Sequence, residues 1–518
     1  MRAHHCSSGC RSISCCPDLR GEVSGGISRR SFLGGVGGVT AGGFLWASFS
    51  AASSAVSEDL PQAPPRKALA VKPIFVYRLY QPRPQTSWRP WGGIHNQAEL
   101  EQEIARIRSE LQWLSSQADF PLRLLSLAAV DNEGVLANDP EVQQADVLLV
   151  YAYGGDLNPI GRLGKDTIFF VRHQSGPVYL HYEIVIPRYL RQHTDTRQIT
   201  HIDYSDVVVD DMQEVLWRLR ALCGLRNTVG MRIIAVGGPG AWAHPFSAVE
   251  PAIKEKWQFD IRTLPYDVLA KLIQEARQNS GMVELARKRT EAYLAAPGVS
   301  LECDRGFVER AFLLEHVFRR AMVEAECRAV TVLGCMGTIM PVSETTACLP
   351  LTTLNDDGWM AFCESDFVVI PGCILLGNIS GKPVFFCNPT FPHKGMITLA
   401  HCTAPRKMDG KNAEPVRIVT HFESDYGAAP KVEMREGQQI TCVIPDFSSQ
   451  QWVGLLGEIA GNPFMDICRS QIEVRHKVGD LVLAERMRGF HWAVVYGDYH
   501  REVAYALRRL GIAWDFLG

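Results

Sequence analysis

Up to about residue 380, apolar runs of strand length alternate with amphipathic helical stretches; beyond it, short strands follow one another with glycine and proline between them. This change of texture constrains the fold most. Alternating strands and helices require parallel sheets joined by right-handed crossovers. Short, punctuated strands pair antiparallel through tight turns instead. The expectation is an α/β chain with two parallel-sheet units followed by a mostly antiparallel β-rich C-terminal domain. A chain of 518 residues exceeds one hydrophobic core, which agrees with several domains.

The boundaries follow the punctuation. Residues 56–72 carry Pro61, Pro64 and Pro65 and read as an extended linker. The first unit is expected over 73–205. Asn96 caps a helix whose one face carries Leu100, Ile104, Ile107, Leu111 and Leu114, and strands follow over 122–130, 146–153, 168–172 and 178–186. The second unit, 206–380, opens with a helix over 206–222 and a strand over 231–237. Helices over 265–278, 282–295 and 307–327 precede a strand over 329–333. Short strands and a terminal amphipathic helix over 501–510 fill the third, 381–518.

The N-terminus carries a different signal. Ser28-Arg29-Arg30-Ser31-Phe32-Leu33 matches a twin-arginine export pattern, and a glycine-rich apolar stretch over 34–52 and small residues at 53–55 follow it. Residues 1–55 are thus expected to be a signal peptide that exports a folded protein to the periplasm or beyond. If the signal is not used, the protein stays cytoplasmic. A net charge of −3 with 21% charged residues gives no basic surface for nucleic acid, and no later apolar run is long enough to hold the chain in a membrane after cleavage. Four of the 15 cysteines precede the twin arginines. The other eleven contain no Cys-x-x-Cys pair and read as core thiols.

Four segments have the residue types for chemistry. Gly238-Pro239-Gly240-Ala241-Trp242-Ala243 follows a strand and fits the dinucleotide pattern G-x-G-x-x-A, with Asp260 where a ribose-binding acid would sit. Pro245 and Pro251 interrupt the helix that pattern needs, which favours a tight strand-to-loop turn. Asn355-Asp356-Asp357-Gly358 reads as turn chemistry. In Cys363-Glu364-Ser365-Asp366, Ser365 or Asp366 is placed to cap a helix over 367–376. Glu364 ends an apolar strand, where an unpaired charge costs several kcal/mol. That leaves it between a helix cap, a metal ligand and a proton carrier. Finally, His401, Arg469 and His491 each lie beside apolar strand residues and point to a pocket shared with Glu364 between the α/β and β regions.

Leu354-Asn355-Asp356-Asp357-Gly358, the Cys363–Asp366 segment, Ile379-Ser380-Gly381-Lys382-Pro383-Val384, His401-Cys402-Thr403-Ala404-Pro405 and Val495-Tyr496-Gly497-Asp498 stand in an order and spacing that resemble the L-fucose and L-arabinose isomerase superfamily. The resemblance runs from residue 73 to the C-terminus. It implies two Rossmann-like N-terminal domains, a β-rich C-terminal domain and a homo-oligomer, trimer or hexamer. It also implies a divalent metal, Mn²⁺ or Mg²⁺, serving proton transfer between C1 and C2 of an open-chain sugar through a cis-enediol.

By position, Glu364 matches the first metal-binding and proton-transferring carboxylate, and His491 matches the C-terminal histidine ligand. Asn388 stands where a second carboxylate is expected, and its amide can ligate but cannot accept the proton. Asp366 or Asp356 is then the candidate substitute acid. His401 and Arg469 are expected to meet sugar hydroxyls. Two other functions compete with the isomerase: a carbohydrate-binding relative without turnover, motivated by Asn388, and an exported NAD(P)-dependent oxidoreductase, motivated by the glycine turn.

Overall fold

The computed structural model describes residues 60–518 except 90, 181, 182 and 243, so the twin-arginine segment and its cleavage site lie outside the described residues. Two wholly parallel sheets form the N-terminal part. The first has the order Leu122–Leu124, Leu69–Val76, Val147–Ala152, Asp166–Val171, Val207–Val209, and Ala128–Val130 also pairs with Leu69–Val76. The second has the order Met360–Cys363, Ala329–Val332, Arg232–Val236, Asp260–Leu264. Val147–Ala152 and Ala329–Val332 are buried at every position, as expected of strands covered on both faces by crossover helices.

The C-terminal part is a closed barrel. Gln439–Ile444, Trp492–Tyr496, Phe385–Pro389, Met396–His401, Ser470–Arg475 and Gln451–Gly461 pair antiparallel in that order, and Gln451–Gly461 pairs back onto Gln439–Ile444. Closure removes the free edges an open sheet would present. Ala513–Leu517 adds in parallel to Gln451–Gly461. The helix Ile370–Ser380, buried throughout, leads from the second sheet into the barrel, with Gly381 ending it at φ 69°. Among the described residues, no helix is long and apolar enough to cross a membrane.

The class expected from the sequence is present, with corrections in detail. The linker is not free. Leu69–Val76 begins inside it, and the Pro61 carbonyl accepts a hydrogen bond from Arg319 at 3.0 Å. The first sheet continues past residue 205, because Val207–Val209 pairs with its last strand; the next helix is Met212–Arg226, capped by Asp211. Among the described residues of 178–186 there is no strand: Ile184–Leu190 coils into a π-helical segment around Pro187, whose missing N–H leaves a ladder bond unmade. The run over 122–130 splits at Leu125, Ser126 and Leu127, where the Ser126 hydroxyl turns to Glu141. Asn355 and Asp356 end a helix, Cys348–Asp356, and only Asp357 and Gly358 (φ 84°) make the turn.

The units are stitched to each other. Val299–Leu301, from the second α/β unit, pairs in parallel with Val416–Val419 beside the barrel. On the terminal helix His500–Arg509, the Tyr505 hydroxyl and Arg509 both donate to buried Asp206 at 2.5 Å. Buried charge is held in networks: Glu315, 0% exposed, accepts from Arg319 at 2.6 Å and from Arg289 at 2.8 Å, and both arginines also reach Asp357.

Candidate metal centre

The strand Met360–Cys363 ends in two consecutive left-handed residues, Glu364 (φ 61°) and Ser365 (φ 44°). Each costs about 1–2 kcal/mol for a residue with a Cβ, so the surroundings must impose the conformation. The glycine turn imposes it. Gly240 donates its N–H to the Ser365 carbonyl at 3.1 Å, and its carbonyl accepts from Phe367 at 2.9 Å. The backbone groups that a dinucleotide phosphate would need are therefore partly committed to residue 365. Asp260, the would-be ribose acid, pairs with Arg232 at 2.7 Å and Arg262 at 2.8 Å.

The left-handed pair turns the Glu364 carboxylate toward two histidines of the barrel. His401, ending Met396–His401, sets Nε2 3.5 Å from one carboxylate oxygen; His491, just ahead of Trp492–Tyr496, sets Nε2 3.3 Å from the other. Both imidazoles are buried, at 3% and 1% exposure, and neither Nε2 has a hydrogen-bond partner. Their other nitrogens are fixed: His491 Nδ1 donates to Asp366 Oδ2 at 2.7 Å, and His401 Nδ1 shares a hydrogen bond with Thr403 Oγ1 at 2.9 Å. Phe386 lies between them, 5.0 Å from the His401 ring and 4.3 Å from that of His491.

A carboxylate and two unpartnered imidazole nitrogens, all within 4.8 Å of one another, fit a divalent cation. Cis donors at roughly 2.1 Å from an ion stand about 3 Å apart, close to the separations here. An Asp behind one histidine and a hydroxyl behind the other supply the outer contacts that fix ligand tautomers.

Charge follows from the packing. Burial opposes ionisation of Glu364, but the attraction of His491 and the contacts of both imidazoles hold its carboxyl down at about 2. Burial likewise opposes charge on His491, yet Glu364 and Asp366 together push it up to about 9. Burial lowers His401 below its ordinary value. At neutral pH the centre thus holds an ionised carboxylate, one charged and one neutral imidazole. A cation entering it displaces the proton of His491.

Of the residues expected from the sequence, Glu364, His401 and His491 are brought together, with Asp366 directly behind. Asp366 does not cap the following helix, which starts at Ile370 after Val369. Its Oδ1 accepts from Val368 and Trp242 N–H at 3.1 and 3.2 Å, and its other oxygen takes His491. Asp356 lies before the opposite end of the Met360–Cys363 strand, where its carboxylate takes the N–H groups of Arg406 and Lys407 at 2.7 Å each. It is too remote to substitute for an acid beside Glu364. Asn388 pairs with Ala400 on the neighbouring barrel strand, and its amide oxygen and nitrogen are buried without partners. Arg469 donates to the Thr420 carbonyl at 2.7 Å and lies against the rings of Phe422 and Phe464.

Sequence reasoning missed Thr403, whose signal is its place two residues after His401. It also missed His421, which lines the same cavity as Glu364 and His401. No known family model matches the chain, and no curated protein matches it.

Proposed function

We propose that the protein is a divalent-metal-dependent aldose–ketose isomerase whose metal centre is Glu364, His401 and His491. The observation that carries this is the convergence on one ionised carboxylate of two buried imidazole nitrogens that have no other polar partner. When bound, Mn²⁺ or Mg²⁺ supplies Lewis acidity toward a carbonyl and its neighbouring hydroxyl. Glu364 faces the cavity, which Glu423 also lines, and moves the proton between C1 and C2. Asp366 keeps both oxygens on the protein and acts as a positioning residue for His491. The Asn388 amide, buried without a hydrogen-bond partner, suits a further oxygen ligand.

The cavity beside Glu364 measures about 20 Å³, room for an ion and a water rather than a sugar. The sugar then lies across its mouth, and the trimer or hexamer expected from the resemblance supplies the remaining wall. The test is metal analysis of the purified full chain, with turnover of an aldose panel in Mn²⁺ and Mg²⁺. Retained Mn²⁺ with ketose formation is the expected result. A chain that binds neither ion removes the reading.

One observation favours a second function, sugar binding without turnover: the acid expected at 388 is an amide, and general acid–base groups contribute about two to four orders of magnitude in rate. Asn388→Asp discriminates. A gain of about a hundredfold in isomerisation favours the non-catalytic wild type, and robust wild-type turnover disposes of it.

A further inference from the structure

Cys402 follows His401 and, with Cys348 and His421, lines the same cavity as Glu364 and His401. Its Sγ, the Sγ of Cys348 at the start of the helix Cys348–Asp356, and a ring nitrogen of His421 lie within 4.8 Å of one another. All three residues are buried, at 3%, 4% and 7% exposure. The Nδ1 of His421 is buried with no hydrogen-bond partner. Cys402 Sγ accepts the Arg469 backbone N–H at 3.4 Å. Cys468 packs against the Cys348–Cys402 pair and lines the same cavity.

Two thiols and an imidazole that converge in this way offer a cation three donors, which a thiol serving only as core filler does not require. Thiolate and imidazole donors in a small, nearly closed site select soft or borderline cations over Mn²⁺ and Mg²⁺.

We infer that Cys348, Cys402 and His421 form a second, thiolate-rich site for a d¹⁰ cation, zinc or copper(I), with Cys468 within reach as a further donor. The site is independent of the isomerase reading. Because Cys402 stands between His401 and Thr403, an ion here fixes the backbone that carries His401 and the hydroxyl that orients it. It also ties the helix Cys348–Asp356 to the loop following Val416–Val419.

The experiment uses the full chain purified under reductant, stripped with chelator and titrated with Co²⁺, whose thiolate charge-transfer absorption reports sulfur ligation. Wild type and Glu364→Gln are both expected to develop the absorption. Cys348→Ser, Cys402→Ser and His421→Ala are each expected to weaken Co²⁺ binding at this site more than about tenfold. Competition then separates the ions: zinc that displaces cobalt and survives dialysis marks a zinc site, and displacement by copper(I) alone marks a copper site. If a variant fails to fold, the wild-type spectrum still decides. Absence of the thiolate absorption with all thiols reduced overturns the inference. So does its persistence in a Cys348→Ser/Cys402→Ser double variant, or recovery of the two cysteines as a disulfide from unreduced protein.

Discussion

Glu364→Gln is expected to reduce Mn²⁺ affinity by more than about a hundredfold while leaving the fold intact. Removing an outer contact of a metal site typically costs ten- to a hundredfold, and Glu364 is the one charged donor of the trio. Glutamine keeps the shape and one ligating oxygen, so the loss reads charge. Calorimetric titration in two buffers of different ionisation heat measures it. Wild type should release the proton held by His491, which burial resists and Glu364 and Asp366 raise to about 9.

In the variant the lost carboxylate charge lowers affinity, and because His491 holds its proton less firmly, proton release falls as well. Asp366→Asn keeps the hydrogen-bonding shape behind His491 and should lose about ten- to a hundredfold in affinity, with a smaller proton release than wild type. Equal Mn²⁺ affinity in wild type and Glu364→Gln would place the cation elsewhere and remove the assignment.

The second large effect concerns stability. Glu315→Ala is expected to lower unfolding free energy by about 3–5 kcal/mol, the usual cost of removing one partner from a buried ion pair. Arg319, 0% exposed, would keep only Asp357 and the Pro61 carbonyl, and Arg289 only Asp357. Urea denaturation read by tryptophan fluorescence gives the number. A loss below about 1 kcal/mol would mean that Asp357 alone balances both guanidinium groups.

The parallel sheets were legible because central strands such as Val147–Ala152 are apolar throughout and their helices carry one apolar face, as in the Asn96-capped helix Gln97–Gln117. Two barrel strands, Met396–His401 and Gln439–Ile444, keep the bounds their composition suggests. Barrel closure was not legible. Gln451–Gly461 includes Gly454, Gly457 and Gly461, which read as turn residues, yet Gly454 and Gly457 lie flat beneath Trp514 and Val474. The Cys348–Asp356 helix was hidden by its threonines and proline, which packing overrides.

Glu364 was legible as a charge that needed a partner. Its partners were legible as singly unremarkable histidines, and only register on the barrel brings His401 and His491 to one carboxylate. Arg469 and Asp366 show the opposite limit. Polar side chains beside apolar strands look alike in sequence whether they face a cavity or satisfy a carbonyl or a ring nitrogen.

The paired left-handed residues at 364 and 365 set this site against the chain's own thermodynamic optimum. Glycine at 365 would relieve one strained residue and, by that criterion alone, should raise stability. A Gly there would also free the loop to relax, and the carboxylate at 364 would lose its aim. Selection for heat resistance alone should therefore enrich glycine at 365, and selection for cation binding should restore serine. Competing those two regimes in one mutant library would expose position 365 as a site where robustness and function pull in opposite directions.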